Sequence, residues 1–132
     1  ITPHPKEFAS LLGLANLGKF DAGEVQKNRF KLAQIFSRNF KCVLVLKGAN
    51  TLIAQGGEAY VVTHGSAALA KGGSGDALSG IVAGLLAQGY SPLNAAISGV
   101  LAHALAAREI KINDYALTAA DVIKGLKCLR KK

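Results

Sequence analysis

Residues 42–63 read CVLVLKGANTLIAQGGEAYVVT, and this stretch decides the fold class. Cys42-Val43-Leu44-Val45-Leu46 is an unbroken apolar run rich in β-branched side chains. A run with no polar alternation predicts a strand covered on both faces, as in a parallel sheet. Thr51-Leu52-Ile53-Ala54 and Ala59-Tyr60-Val61-Val62-Thr63 then flank Gly56-Gly57, which reads as a β-hairpin.

Helical patterns surround this centre. Upstream, Pro5 opens a short helix carrying Glu7, Phe8, Leu11 and Leu12, with Gly13 ending it. A longer helix is expected over residues 23–38, with Val25, Phe30, Leu32, Ile35 and Phe36 as apolar positions and Asp21 as its cap. Downstream, a loop of Gly, Ser and Ala leads to a helix starting near Asp76, which carries Ala77, Leu78, Ile81, Val82, Leu85 and Leu86 and stops at Gly89. Pro92 opens the next, where Ala95, Ala96, Ile97, Val100, Leu101, Ala104 and Leu105 leave little polar face. Two neighbouring helices this apolar are expected to be buried inside an assembly. Thr118 and Asp121 form a capping-box pattern for a last helix with Val122, Ile123, Leu126 and Leu129 as its stripe. The class is therefore α/β, with few strands for so many apolar helices, and a missing part of the sheet would explain the shortage. The opening Ile1-Thr2-Pro3-His4-Pro5 and the absence of methionine add to the expectation of a fragment.

Composition narrows the function classes. Half of the 132 residues are apolar and the net charge is +8, so a real core is expected and disorder is not. No unbroken apolar run reaches the roughly 20 residues of a membrane span, and no secretory pattern opens the chain. Cys42 and Cys128 have neither zinc nor disulfide spacing and read as buried thiols in a reducing cytoplasm. Lys124, Lys127, Arg130, Lys131 and Lys132 crowd the C-terminal end, where positive charge complements a helix dipole. The remaining charge suits an anionic ligand such as a nucleotide. Nucleic acid ranks behind, because no aromatic stacking motif accompanies the charge.

Three elements carry candidate chemistry. Lys71-Gly72-Gly73-Ser74-Gly75-Asp76 places three glycines before an apolar helix, so backbone amides can approach a ligand and the helix dipole favours a phosphate there. Asp76 follows in the first turn. Taken alone it is an ordinary cap; beside a phosphate its charge calls for a metal ion or a proton to accept. The run lacks the Gly-Lys-Ser/Thr ending of a Walker loop. Lys47-Gly48-Ala49-Asn50-Thr51 lies where the buried strand ends, the end at which ligands collect in parallel α/β sheets. Lys47 can neutralise phosphate oxygens, Gly48 can admit close approach and Thr51 can donate a hydroxyl. Thr2-Pro3-His4-Pro5 projects His4 from a rigid loop at a helix start. His103 reads as a core or interface histidine, and His64 stays open.

In this order, T-P-H-P-x-E, K-G-A-N-T and A-K-G-G-S-G-D-A-L-S-G-I-V-A-G-L-L-A-Q-G, the elements resemble the ADP-dependent NAD(P)H-hydrate dehydratases. The resemblance extends over nearly the whole chain. It implies a ribokinase-like three-layer sandwich, of which residues 1–132 would be the C-terminal part of one domain: a parallel strand, a β-hairpin and packed helices, with the first half absent. It implies that Lys47, Gly48, Ala49, Asn50 and Thr51, with Lys71, Gly72, Gly73, Ser74 and Gly75, hold ADP (or ATP) with Mg2+. His4 and Asp76 would face the hydrated nicotinamide nucleotide, Asp76 as catalytic base, with no metal site made by protein alone. Lys6 stands where the family commonly has glycine, and Lys71 where a small or threonine-like residue is usual. The expected partner is the protein's own first half or copies of itself, with no nucleic acid and no membrane. A vitamin-precursor kinase of the same superfamily, which shares the G-S-G-D element, and a non-catalytic nucleotide-binding fragment are the competing readings.

Overall fold

The computed structural model describes residues 1–129, which form two compact units, Ile1–Val61 and a second from Val62 onward. Arg130, Lys131 and Lys132 of the basic tail lie outside the described residues.

The first unit contains α1 (Pro5–Leu14), α2 (Ala22–Lys27), α3 (Arg29–Asn39), β1 (Leu44–Leu46), β2 (Thr51–Gln55) and β3 (Glu58–Val62). The strands lie in the order β1-β2-β3. β1 pairs antiparallel with β2, setting Leu44 opposite Ala54, Val45 opposite Ile53 and Leu46 opposite Leu52. Its other edge is paired too. The Ile1 ammonium donates to the Val43 carbonyl at 2.8 Å, while the amides of Val45 and Lys47 donate to the carbonyls of Ile1 (2.8 Å) and Pro3 (2.9 Å). Bonds advancing in the same direction along both segments are the parallel pattern. Pro3, which lacks an N–H, takes part only through its carbonyl. Every residue of β1 is buried. Leu44, Leu46, Leu52 and Ala54 join Phe8, Leu12, Val25, Leu32 and Phe36 in one core. Val45 and Ile53 project to the opposite face and are buried as well, which is what the unbroken apolar run requires. Phe8 meets Phe36 edge-on, centroids 5.3 Å apart, the favoured aromatic geometry.

The hairpin turn has Gly56 at φ +60° and Gly57 at φ +90°, two left-handed residues in succession, as tight hairpins demand and glycine permits. The Gly57 amide donates to the buried Ser37 hydroxyl at 3.0 Å. One expectation is corrected: residues 23–38 are not a single helix. Asn28, at φ −113° and ψ 18°, separates α2 from α3. Its side-chain amide bonds the Glu24 carbonyl at 3.1 Å, the local competition that makes Asn a weak helix-interior residue.

The second unit is helical, with α4 (Ser74–Ala87), α5 (Pro92–Glu109), α6 (Ala119–Gly125) and short 3-10 turns at Ala67–Leu69 and Leu126–Cys128. Ser91 caps α5 by accepting from the Asn94 amide at 3.3 Å, and Pro92 occupies the first turn. Thr118 and Asp121 close their box reciprocally, at 3.2 and 3.1 Å. Glycines let the helices approach closely. A Cβ on Gly99 would come within 2.6 Å of Val82 Cγ2, and one on Gly125 would collide with the Ala106 carbonyl oxygen. Within the chain α5 is substantially buried, whereas α4 buries only Ser74, Ala77 and Leu78 and leaves Leu86 44% exposed; within its own unit α4 packs on α5 and α6, which cannot cover every side of a helix. One expectation fails: Cys128 is exposed and Cys42 half-buried, so neither is a fully buried thiol, the final 3-10 turn having no buried residue.

α4 is fixed to α5 by a buried polar contact. Ser74 Oγ lies 3.3 Å from His103 Nε2, and both residues are buried. Burial pushes the His103 imidazole below its ordinary range, partly opposed by a hydrogen bond with the Ser74 backbone. The folded state therefore favours the neutral ring. That contribution is fully present above the ordinary histidine value of about 6.5 and is lost as pH falls from there through the folded-state value.

Two outcomes follow from this packing. Gly125→Ala gains up to about 1 kcal/mol of helix propensity, but the backbone carbonyl it meets cannot rotate away, and overpacking costs about 1–3 kcal/mol; urea unfolding is expected to show net destabilisation. In urea melts between pH 8 and pH 5, the wild-type chain is expected to lose stability toward acid more steeply than His103→Gln, which has no imidazole to protonate.

Candidate functional site

In the first unit the expected site residues gather at the C-terminal end of β1. His4 is the N-cap of α1: its Nδ1 accepts from the Glu7 amide at 3.2 Å, and Glu7 Oε2 accepts from the His4 amide at 2.6 Å. His4 Nε2 lies 3.3 Å from Glu7 Oε1, and Lys47 Nζ lies 3.7 Å from Glu7 Oε2. One carboxylate thus links the histidine loop to the lysine after the strand. The His4 amide bond, aided by Lys47 and the His4 ring, holds the Glu7 carboxyl below its usual range against a desolvation effect. His4 and Glu7 are half-exposed, and Lys47 is less so. The parallel bond from Lys47 to Pro3 brings the two segments together.

Gly48 has a local reason to lack a side chain, because a Cβ there would lie 2.9 Å from Arg29 Nη1. Arg29 reaches over from the start of α3 and donates from Nη2 to the Leu46 carbonyl at 3.1 Å. Its buried Nε has no partner, and burial pulls the guanidinium below its usual range. The close approach expected of a ligand at Gly48 is thus already made, on one side, by an arginine. Ala49 and Asn50 are exposed, and the Thr51 hydroxyl donates to the Gly48 carbonyl at 3.3 Å, tightening the turn.

In the second unit the glycine run forms a turn directly into α4. Gly73 is the N-cap, left-handed at φ +81°, with no side-chain capping bond. The Ser74 amide donates to the Lys71 carbonyl at 3.3 Å, and the Ala77 amide to the Gly73 carbonyl at 3.0 Å. Between them, the amides of Gly75 and Asp76 have no backbone acceptor among the described residues, the state in which a helix N-terminus receives an anion. The Gly73 amide likewise has no backbone acceptor among the described residues, so within Gly73-Ser74-Gly75 it is the Ser74 amide that is engaged. Asp76 stands three residues after the cap and is exposed. The α4 cap is Gly73, so Asp76 is not the ordinary cap that its position suggests. Lys71 turns its ammonium to the carbonyls of Asp114 and, at 2.9 Å, Leu117, tying the turn to the segment before α6. His64 is exposed.

Three contacts escaped the sequence reading: those of Glu7, of Arg29 with Leu46, and of Ser74 with His103. Glu7 had a signal, since its spacing of three from His4 is that of a capping box. Arg29, 17 residues from Leu46, and the Ser74–His103 pair, 29 residues apart, had none, because only folding brings such positions into contact.

A model of the family described as NAD(P)H-hydrate dehydratase matches residues 1–127. The chain is 51% identical over 130 residues to the bifunctional NAD(P)H-hydrate repair enzyme of Helicobacter pylori, covering 98% of this chain and 28% of that protein. It is 40% identical over 126 residues to the ADP-dependent (S)-NAD(P)H-hydrate dehydratase of Neisseria meningitidis, covering 95% of this chain and 40% of that protein. The crystal structure of the ADP/ATP-dependent NAD(P)H-hydrate dehydratase from Bacillus subtilis, co-crystallized with ATP/Mg2+, superposes with a TM-score of 0.85 at 32% identity, over 96% of this chain and 45% of that one. A ribokinase-like superfamily protein of Enterococcus faecalis gives a TM-score of 0.76 at 30% identity. The fold is ribokinase-like α/β, and the chain spans less than half the length of each of these relatives. With its match running through both glycine-containing loops and the histidine loop, the chain belongs to the NAD(P)H-hydrate dehydratase family.

Proposed function

We propose that the complete protein dehydrates the hydrated forms of NADH and NADPH at the expense of ADP, and that this chain supplies its phosphate-receiving turn and its catalytic base. The observation that carries the reading is the start of α4: two neighbouring amides without backbone acceptors, and an exposed Asp76 carboxylate in the same turn that is not the helix cap. This combination suits a reaction in which a phosphoryl group must be held and a hydroxyl proton removed.

Hydroxide leaves a ring carbon poorly, whereas phosphate leaves well. In the proposed route the substrate's ring hydroxyl attacks the terminal phosphorus of ADP, an O–P bond forms, and AMP departs with the electrons of the broken bond. Asp76 orients the hydroxyl and accepts its proton. The ring nitrogen lone pair then expels phosphate, and loss of a proton from the adjacent carbon restores the dihydropyridine. Such a transfer asks the protein mainly for alignment and charge neutralisation. The amides of Gly75 and Asp76 supply the second, acting as an anion hole. Gly72, Gly73 and Ser74 shape the turn, and Lys71 ties it down. Lys47, Gly48, Ala49, Asn50 and Thr51 are assigned to nucleotide binding with Lys47 as the charge, and His4 to the nicotinamide substrate. Magnesium, when bound with the nucleotide, would offset phosphate charge, and the exposed Asp76 carboxylate is the acidic group of this turn available to it.

For partners, we read the apolar side of α4, where Leu86 is 44% exposed, and Tyr90 in the turn that follows, 46% exposed, as covered by further residues of the same protein or by another copy. No helix among the described residues is long and apolar enough to cross a membrane, and a reducing cytoplasm remains the proposed setting.

The test is to incubate the complete protein with hydrated NADH and either ADP or ATP, following recovery of dihydropyridine absorbance and release of phosphate. Asp76→Asn is expected to retain nucleotide binding and lose about 10²–10⁴-fold in turnover; full activity in that variant removes Asp76 from the mechanism. A phosphorylated product without dehydration would favour a vitamin-precursor kinase, whose family shares the Gly-Ser-Gly-Asp element. Sedimentation of this chain at micromolar concentration is expected to show association, and a clean monomer would count against the reading of α4.

A further inference from the structure

Three polar residues are buried among those described: Ser37, Ser74 and His103. Ser37 has a purpose in the fold, since it receives the Gly57 amide at the hairpin turn. The other two meet each other, at 3.3 Å. Burying a hydroxyl and an imidazole is costly unless they are hydrogen-bonded, and even a satisfied pair stabilises little more than an apolar pair of the same shape, so stability alone does not account for this contact. Its position indicates the task. Ser74 is the first residue of α4, immediately after left-handed Gly73, and the next two residues carry the free amides. Glycine on both sides of Ser74 gives this segment few side-chain restraints of its own. The only side chain inside the run Gly73-Ser74-Gly75 is the serine hydroxyl, and it is directed away from solvent to a ring on the middle of α5. The upstream end is tied separately, by Lys71 to the carbonyls of Asp114 and Leu117.

We propose that His103 is a positioning residue for the anion site. Through Ser74 it fixes the rotation of the first turn of α4, so that the Gly75 and Asp76 amides are presented to a phosphate group without reorganisation when the ligand arrives. This rests on the dehydratase reading for the identity of the ligand, ADP, but not for the geometry. The ring is kept neutral by burial and does not touch the phosphate; Ser74 is the intermediary. A preorganised turn of this kind serves nucleotide binding and turnover together, because the free amides and Asp76 belong to the same turn.

The experiment uses the complete protein with His103→Leu, His103→Gln and Ser74→Ala. KM and kcat for ADP are measured beside the ADP dissociation constant and, without ligand, the amide resonances of Gly75 and Asp76. In His103→Leu the dissociation constant and KM for ADP are expected to rise by about tenfold to 10²-fold, the cost of a small misplacement, and kcat to fall with them because Asp76 lies in the same turn. His103→Gln, which keeps a polar group able to reach the serine, should recover most of the loss, and the two resonances should move in the leucine variant and return in the glutamine one. A folded His103→Leu protein with wild-type ADP binding and unmoved resonances overturns the proposal. If His103→Leu does not fold, Ser74→Ala decides: it should reproduce the weakened binding, and unchanged binding refutes the role. Should the wild-type protein fail to bind ADP, the dehydratase reading falls, while the resonances still judge whether His103 sets the turn.

Discussion

An α-helix has to begin with N–H groups that no preceding turn can receive, and the functional reading of this chain depends on how α4 meets that constraint. Most helices here answer it with a side chain: His4 and Asp21 cap α1 and α2, and Ser91 and Thr118 cap α5 and α6. α4 begins instead on a left-handed glycine with no capping side chain. The amides of Gly75 and Asp76 are left without backbone acceptors among the described residues, in a helix whose dipole already favours negative charge. A carboxylate in the same turn would be an electrostatic convenience in a capped helix. Here it is exposed, beside amides without backbone acceptors, and the proposed function rests on that combination.

Holding such a turn open requires support from behind, and the second unit provides it at two points. Lys71 donates to backbone carbonyls near the start of α6, and Ser74 contacts His103 on α5. Close helix contacts at Gly99 and Gly125 bring α4, α5 and α6 near enough for these short polar links to be made. The Lys71 ammonium, which sequence inspection assigns to a ligand, also donates to backbone carbonyls of the protein itself. In the first unit the same economy appears at Gly48, whose missing side chain admits Arg29, and at Glu7, whose carboxylate serves His4 and Lys47 together. Both sets of residues sit at the exit of a buried strand or the entry of a helix, where backbone groups run out of regular partners.

The strand that organises the first unit illustrates why chemistry collects there. β1 is bonded on both edges, parallel to the opening residues and antiparallel to β2, and buried on both faces. It therefore has no freedom to shift register, and the loop leaving it begins from a fixed point. The Lys47 amide bonds the Pro3 carbonyl, so the position of the histidine loop follows from the same ladder. Rigid strand ends with irregular loops attached are the usual location of ligand sites in α/β proteins.

Much of this was legible in the chain of letters. The apolar run at residues 42–46, the paired glycines of the hairpin, the prolines opening α1 and α5 and the Thr118–Asp121 box each report a local rule: strand burial, positive φ, fixed φ and amide satisfaction. The glycine run before Asp76 likewise announced a helix start able to hold an anion, because glycine's tolerance of left-handed backbone belongs to the residue and not to its surroundings. The break at Asn28, the exposed side of α4 and the exposure of Cys128 were not readable, since they depend on which neighbours pack against a surface. The same holds for the contacts that refine the site. Arg29 under Gly48 and His103 behind Ser74 join positions far apart in the chain, and Lys71 donates to carbonyls more than forty residues away. Local sequence determines what each segment can do with its own backbone; only tertiary packing decides which distant side chain completes it, because that pairing is set by shape and burial across the whole unit rather than by spacing along it.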